Sequence, residues 1–382
     1  MSADERRERV ALIGPHPPYR GGIAHFTERL GAHLTEAGLS VFPVSFSRLY
    51  PDLLFPGQSQ YEEGSVAREG PECLIDSINP LSWRKTARTI VSDGADAAIF
   101  MYWMPFFAPA MRSIAGYLRA KGVGTIAVVH NAVPHERHPG DKKLSRAFLR
   151  KCDVAIVLSK NVGNDVKELV PEARICFAPH PVYDQFGARI DGATARRMIG
   201  LREDHKVLLF FGMIRRYKGL HVLIDAFPAV VNLFPEARLV VAGEFYDDVE
   251  SYRAQIESLS ISDYVILTEE YVPSDRVAVY FSAADVVVQP YLRATQSGVV
   301  QAAFNFEKPV IVTDVGGLAE IVGDTSAGIV VPPGDDEALT AAILQFFSED
   351  MRPTLEEGVR RARSLSTWTK YVDIIRGELK RD

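Results

Sequence analysis

Three cations in one short loop, Arg215, Arg216 and Lys218, are the residues of this chain best placed to do chemistry. They lie in Phe211-Gly212-Met213-Ile214-Arg215-Arg216-Tyr217-Lys218-Gly219-Leu220, just after an apolar run. A parallel strand would deliver a ligand loop at that point. An arginine fork and a lysine point charge together neutralise a pyrophosphate. A solvated turn is also basic, so this loop alone does not decide. A second segment runs Gln289-Pro290-Tyr291-Leu292-Arg293-Ala294-Thr295-Gln296-Ser297-Gly298-Val299-Val300-Gln301. There a strand ends at Pro290 and a helix begins near Ser297, so the amides of Ser297, Gly298 and Val299 form a phosphate cradle with a hydroxyl beside it. A third strand, starting at Val310, ends in the pair Gly316-Gly317 followed by the acid Glu320. Two phosphate-friendly turns on neighbouring elements are hard to obtain by accident.

The early turn Pro15-His16-Pro17-Pro18-Tyr19-Arg20-Gly21-Gly22-Ile23-Ala24 offers a further close approach of backbone to ligand. It is not Gly-x-Gly-x-x-Gly and lacks a ribose-binding acid about 20 residues on, so a dinucleotide fingerprint is absent. A tight strand-to-helix turn is the alternative reading of it.

The elements that position these loops show in the periodicity. Apolar, β-branched runs at 9–15, 41–46, 97–103, 125–130, 154–159 and 175–178 read as strands covered on both faces. Ile23, Phe26, Thr27, Leu30 and Leu34 recur at helical spacing and stop at Gly38, completing a strand-helix-strand crossover. The scheme repeats with runs at 207–213, 239–243, 265–268, 286–290, 310–313 and 329–331. Helices are expected near 221–233, 248–259, 274–283, 298–306 and 337–349. Proline and glycine interrupt both periods at 179–187, which places the domain junction there. The fold class is α/β, with domains at 1–183 and 184–365. The stretch from Arg48 to Gly70 lacks periodicity and reads as a mobile loop or as passive disorder.

Composition narrows the function. Hydrophobic residues make up 47% and charged residues 24%, and the net charge of −6 argues against a broad nucleic-acid surface. No signal peptide or membrane span is expected. Cys73, Cys152 and Cys176 form no metal-ligand spacing, which fits reduced, mostly buried thiols in the cytoplasm and no structural zinc.

In their order these pieces resemble the large retaining glycosyltransferase family four, of GT-B fold. They are Gly21-Gly22-Ile23-Ala24, Arg215-Arg216-x-Lys218-Gly219 and Pro309-Val310-Ile311-Val312-Thr313-Asp314-Val315-Gly316-Gly317-Leu318-x-Glu320. The resemblance spans essentially the whole chain and implies two Rossmann-like parallel-sheet domains facing a cleft, with a C-terminal helix over 366–382 crossing back to the first domain. It implies a nucleoside-diphosphate sugar, UDP or GDP, on the second domain and a glycan, lipid-linked or small-molecule acceptor on the first. Arg216 or Arg215, with Lys218 and Gly212, would hold the donor diphosphate without metal or cofactor. Glu320 would anchor a loop or touch the donor.

Two places depart from the family pattern. Its usual pair of glutamates, seven residues apart, falls near Ala294 or Thr295 and near Ala302, none of them acidic. Thr295, Gln296 or Ser297 would replace the first, and Gln301 would reach the ribose. A histidine common in relatives falls at Trp103, suited to packing or to stacking on a sugar. The next strand ends His130-Asn131-Ala132-Val133-Pro134-His135-Glu136-Arg137-His138, similar to a His-Asn-x-x-Pro-His-Glu signature within the family. His130, Asn131, His135 and Glu136 would then orient the acceptor or the transferred sugar, and a histidine–glutamate pairing would raise the imidazole pKa. A polar network bracing a loop is the alternative, while zinc on His135 and His138 lacks further ligands.

Lys142, Lys143, Arg146, Arg150 and Lys151 alternate with apolar residues at helical spacing, either as a solvated helix or as peripheral contact with an anionic membrane. The rival functions are a sugar-nucleotide epimerase of the same architecture, for which no acid–base carboxylates lie near Thr295, and a non-catalytic sugar-nucleotide binder.

Overall fold

Strands that are apolar on both faces need cover on both faces, and the chain meets that demand twice. The computed structural model describes residues 8–51, 59–61, 72–133 and 138–380. Its contacts divide the chain into one unit of Met1–His180 with Trp368–Asp382 and a second of Pro181–Thr367.

The first unit begins β1 (Arg9–Ile13), α1 (Gly22–Glu36), β2 (Ser40–Arg48), β3 (Glu72–Asp76), α2 (Pro80–Ser92) and β4 (Ala97–Tyr102). It continues α3 (Ala108–Arg119), β5 (Gly124–Val129), α4 (Asp141–Leu149), β6 (Val154–Val157), α5 (Lys160–Leu169) and β7 (Ile175–Phe177). Its sheet has the order β3-β2-β1-β4-β5-β6-β7, all parallel. Chain order reverses between β1 and β4, and every residue of β4 is buried. Strand β3 lies at the edge and carries the exposed Cys73, while Cys152 and Cys176 are half-buried. The thiols are therefore less buried than their count suggests, because two of them sit on the outer strands β3 and β7.

The second unit begins α6 (Gly192–Met198), β8 (Lys206–Phe211), α7 (Leu220–Leu233), β9 (Ala237–Ala242), α8 (Val249–Ser258), β10 (Val265–Thr268) and α9 (Ser274–Ala283). Then come β11 (Val286–Gln289), α10 (Gly298–Asn305), β12 (Val310–Thr313), α11 (Leu318–Thr325), β13 (Gly328–Val331), α12 (Asp336–Ser348) and α13 (Arg352–Leu365). The parallel sheet has the order β10-β9-β8-β11-β12-β13, with its switch point between β8 and β11. The last helix, α14 (Trp368–Leu379), packs on α1, where Trp368 and Tyr371 meet Phe26. No helix among the described residues is long and apolar enough to cross a membrane.

A buried ionic knot fixes the amino ends of the two central strands. Asp285, just before β11, accepts a bifurcated pair of hydrogen bonds from Arg196 Nη2 at 2.8 Å, one from Arg352 at 2.7 Å and one from the Val207 amide at 2.8 Å. Lys308 spends its amine on the Ser282 and Ala284 carbonyls, and burial, then the charges of Arg352 and Arg189, push its pKa down to about 7. Replacing Asp285 by Ala leaves the Arg196 guanidinium buried without its carboxylate, which should cost about 3 kcal/mol. Urea unfolding of the variant should show that loss, and an unchanged midpoint would deny the knot its structural role.

Candidate functional site

Ligands of open parallel sheets bind beyond the carboxyl ends of the strands at the switch point. In the second unit that place is shared by the loops after β8 and β11. After β8 the chain turns through Gly212, runs to Arg215, and makes a single 3-10 turn over Arg216–Lys218 before α7. Lys218 is buried to 8% exposure and makes no ion pair among the described residues. Burial first, then the Arg215 charge, push its pKa from 10.5 down to about 8. Its Nζ lies 5.5 Å from the centre of the buried Tyr291 ring. A Cβ built on Gly212 would sit 3.6 Å from that amine and 3.4 Å from Val299 Cγ2. The amine, the Gly212 turn and the first turn of α10 therefore share one spot.

Hydrogen bonds lock the neighbouring loops to one another. The Leu292 amide donates to the Tyr217 carbonyl at 2.7 Å, the Thr313 hydroxyl to the Tyr291 carbonyl at 2.5 Å, and the Gly317 amide to the Thr295 carbonyl at 2.8 Å. At Gly316, with φ +53, a side chain would run into the Ala294 carbonyl, so only glycine lets these two loops approach. Ser297 caps α10 by accepting from the Val300 amide at 3.4 Å and also hydrogen-bonds Tyr291. Its hydroxyl is thus committed to the helix start, and the amides of Gly298 and Val299 carry the cradle. At Gly298 a Cβ would lie 2.6 Å from Tyr183 Cε2, so the ring of Tyr183 needs glycine there.

The other expected donor residues fall around this spot in different ways. Arg215 is half-buried beside Lys218, whereas Arg216 is exposed and its charge reaches His221 and Tyr252 instead. Thr295 and Gln296 are half-buried in the loop before α10. Gln301 is buried on α10, and its Oε1 has no hydrogen-bond partner among the described residues. Glu320 is half-buried in the first turn of α11. The loop after β9, which carries no basic motif of its own, also joins the site: the Ile214 amide donates to the Glu244 carbonyl at 2.8 Å, the Tyr246 amide to the Ile214 carbonyl at 2.9 Å, and the Tyr246 ring lies 5.0 Å from the Arg215 guanidinium. Gly243 at the end of an apolar run was the available signal.

In the first unit the switch point brings Gly21 and Gly22, at the start of α1 after β1, near the end of β4. Trp103 is half-buried there, packed 4.4 Å from Phe107, with its indole N–H donating to the Tyr50 hydroxyl at 3.2 Å. Ser59 to Tyr61 are tied to the same turn. Gln60 bonds both the amide and the carbonyl of Tyr50 at 3.1 Å, the Arg20 amide donates to the Gln60 carbonyl at 2.9 Å, and Tyr61 stacks on Tyr19 at 5.0 Å. The expected mobile loop otherwise lies largely outside the described residues, as do His135 and Glu136. The histidine–glutamate pairing expected to raise an imidazole pKa thus falls outside the described residues, and the His130 pKa by itself moves the other way. Burial first, then the His180 charge, push it down to about 3. The ring stays neutral, set edge-on to Phe26 at 4.8 Å, with Nε2 unpartnered among the described residues. Asn131 beside it is half-buried.

Three of the five cations proposed for a membrane face are spent on α5 and the turn after it. Lys142 pairs with Glu168 at 2.7 Å, Arg150 with Glu172 at 3.0 Å, and Arg146 donates to the Leu169 carbonyl at 2.8 Å.

Comparison with known proteins finds two matching families. Residues 20–186 match Glycosyltransferase Family 4, and residues 205–349 match Glycosyl transferases group 1. A D-inositol 3-phosphate glycosyltransferase of Corynebacterium urealyticum is 29% identical over 241 residues, which are 59% of this chain and 57% of that protein. A putative glycosyltransferase, YtcC of Bacillus subtilis, is 32% identical over 202 residues, 50% of this chain and 48% of its own length. The matched stretch thus spans only about half to three-fifths of these relatives. Among solved structures, sucrose-phosphate synthase of Thermosynechococcus elongatus superimposes with a TM-score of 0.74 at 22% identity, covering 98% of each chain. HepE of Anabaena in complex with UDP-glucose gives 0.74 at 16% identity, covering 97% of this chain and 99% of its own.

The Lys218 amine makes pH a direct probe of the site. It is protonated below about pH 8 and neutral above, whereas in the unfolded chain it titrates near 10.5. The folded state therefore binds fewer protons between those values, and the unliganded protein should gain stability as pH rises from about 8 to 10.5. Diphosphate binding should weaken over the same rise. Calorimetric titration across pH 7–10 should show that loss, and Lys218→Met should flatten it.

Proposed function

This chain belongs to the glycosyltransferases of GT-B fold, and from that premise we propose that it transfers a sugar, with retention at the anomeric carbon and without metal, from a nucleoside-diphosphate sugar to an acceptor hydroxyl. The donor is a UDP- or GDP-sugar, and the acceptor a glycan, a lipid-linked sugar or a small molecule. The observation that carries the reading is Lys218: a buried ammonium beside Arg215 at the start of α10, with no carboxylate paired to either among the described residues. Such a charge is costly unless an anion completes it.

As the bond from the anomeric carbon to the β-phosphate oxygen breaks, negative charge gathers on the departing diphosphate. Lys218, Arg215 and the Gly298 and Val299 amides stabilise that charge from fixed positions. Two fixed cations supply what a divalent ion would otherwise supply, which is the ground for metal independence. Arg215 takes the arginine role in preference to the exposed Arg216. Gln301 Oε1, without a partner among the described residues, suits a ribose hydroxyl. Glycosyltransferase relatives and a structural neighbour bound to UDP-glucose support the donor class. On the first unit, neutral His130 with Asn131 and Trp103 orients the acceptor by hydrogen bonding and stacking, and a cytoplasmic location fits a sugar-nucleotide supply.

Incubation with labelled UDP- and GDP-sugars and a panel of acceptors tests the proposal. Labelled product should form with the anomeric configuration of the donor, and excess EDTA should leave the rate unchanged. Epimerised donor without transfer would identify an isomerase, binding without turnover a sugar-nucleotide binder, and an EDTA loss restored by manganese would end the metal-free mechanism.

A further inference from the structure

Two like charges held side by side repel, and something must keep them there. Arg215 makes no ion pair among the described residues, yet it is half-buried and close enough to lower the Lys218 pKa. The group against it is the ring of Tyr246, 5.0 Å from the guanidinium carbon to the ring centre. That ring is not placed by chance. Ile214 and Phe245 form an isolated parallel bridge between the two loops, and the hydrogen bonds on either side of Ile214 go to Glu244 and from Tyr246. Ile214 is fully buried and directly precedes Arg215. Phe245 packs 5.7 Å from the buried Tyr252, which anchors the Tyr246 loop from below. The backbone thus sets both partners of the stack in register.

The chemistry of the partner matters. A carboxylate at this position would hold the arginine more tightly, but it would occupy in-plane N–H donors and cancel the charge. An aromatic face attracts a cation through its quadrupole and leaves those donors unused. It also offsets part of the repulsion from Lys218 without adding a competing anion.

We propose that Tyr246 is a positioning residue for anion binding, holding Arg215 by a face contact so that its fork and the Lys218 amine meet one diphosphate together. This rests on the donor site described under the proposed function.

A double-mutant cycle tests it, with UDP, GDP and inorganic pyrophosphate titrated into the wild type, Tyr246→Leu, Arg215→Ala and the double variant. Tyr246→Leu should weaken diphosphate binding about threefold to tenfold. Tyr246→Phe, which keeps the face, should stay within about twofold of the wild type. The double variant should bind no more weakly than Arg215→Ala alone, a result that general damage to the loop would not produce. If thermal unfolding shows that Tyr246→Leu is destabilised, Tyr246→Met keeps the length without the ring and takes its place in the cycle. Additive losses, or undiminished binding by the variant lacking the ring, would overturn the role of Tyr246 while leaving the donor site standing. A wild type that binds none of the three probes would overturn both.

Discussion

The second unit treats its buried cations in two opposite ways, and the difference organises everything around it. At the amino ends of β8 and β11, Arg196 and Arg352 converge on Asp285, and Lys308 is satisfied by carbonyls. At the carboxyl ends of the same strands, Lys218 and Arg215 converge on no acid among the described residues. A charge withdrawn from water without a counter-ion is among the most expensive features a fold can keep. Here it is retained by a closely interlocked frame of loops: Leu292 on Tyr217, Gly317 on Thr295, Ile214 on Glu244. One end of the sheet is neutralised for stability, and the other is left positive.

The first unit repeats the topology with different chemistry. Among the described residues its switch point carries no buried cation pair but a neutral histidine, a tryptophan bonded to a tyrosine, and a glycine turn opening α1. His130 owes its neutrality to its surroundings, with Phe26 edge-on and His180 nearby, which confines the imidazole to hydrogen bonding. The same parallel-sheet scaffold thus presents charge in one half and uncharged polar and aromatic groups in the other.

Much of this was legible in the residues, and the misses have physical causes. Buried strands announce themselves by continuous apolar runs, which is why β4, β8 and β12 stand where the pattern puts them. Strand β3 escaped because an edge strand exposes half its residues and Glu72-Cys73-Leu74-Ile75-Asp76 is short. Helix α13 escaped because eight of its fourteen residues are charged or small polar, among them Arg352, Glu356, Arg360 and Ser364, and they mask the apolar stripe of Leu355, Val359 and Ala362. The basic loop was readable as an anion site from composition and place alone. Which arginine accompanies Lys218 was not, because Arg215 is the extended residue before the 3-10 turn and Arg216 its first residue, and only packing against Tyr246 sorts them. The depressed His130 pKa was equally hidden, since desolvation is a property of the whole surrounding core.

Gln60 has a consequence of its own. Its side-chain amide grips both backbone groups of Tyr50, its carbonyl accepts from Arg20, and next to it Tyr61 stacks on, bridges and hydrogen-bonds Tyr19, so a small set of contacts holds Ser59 to Tyr61 to the sheet. At roughly 1 kcal/mol per net bond, that attachment is weak beside the free energy of unfolding a domain. It therefore yields first. Amide exchange at Tyr50 and Arg20 would then proceed by a local opening, far faster than exchange in β1 or β4 and insensitive to denaturant at concentrations where the sheet stays intact. A single glutamine thus sets a separate thermodynamic clock beside the acceptor-side turn.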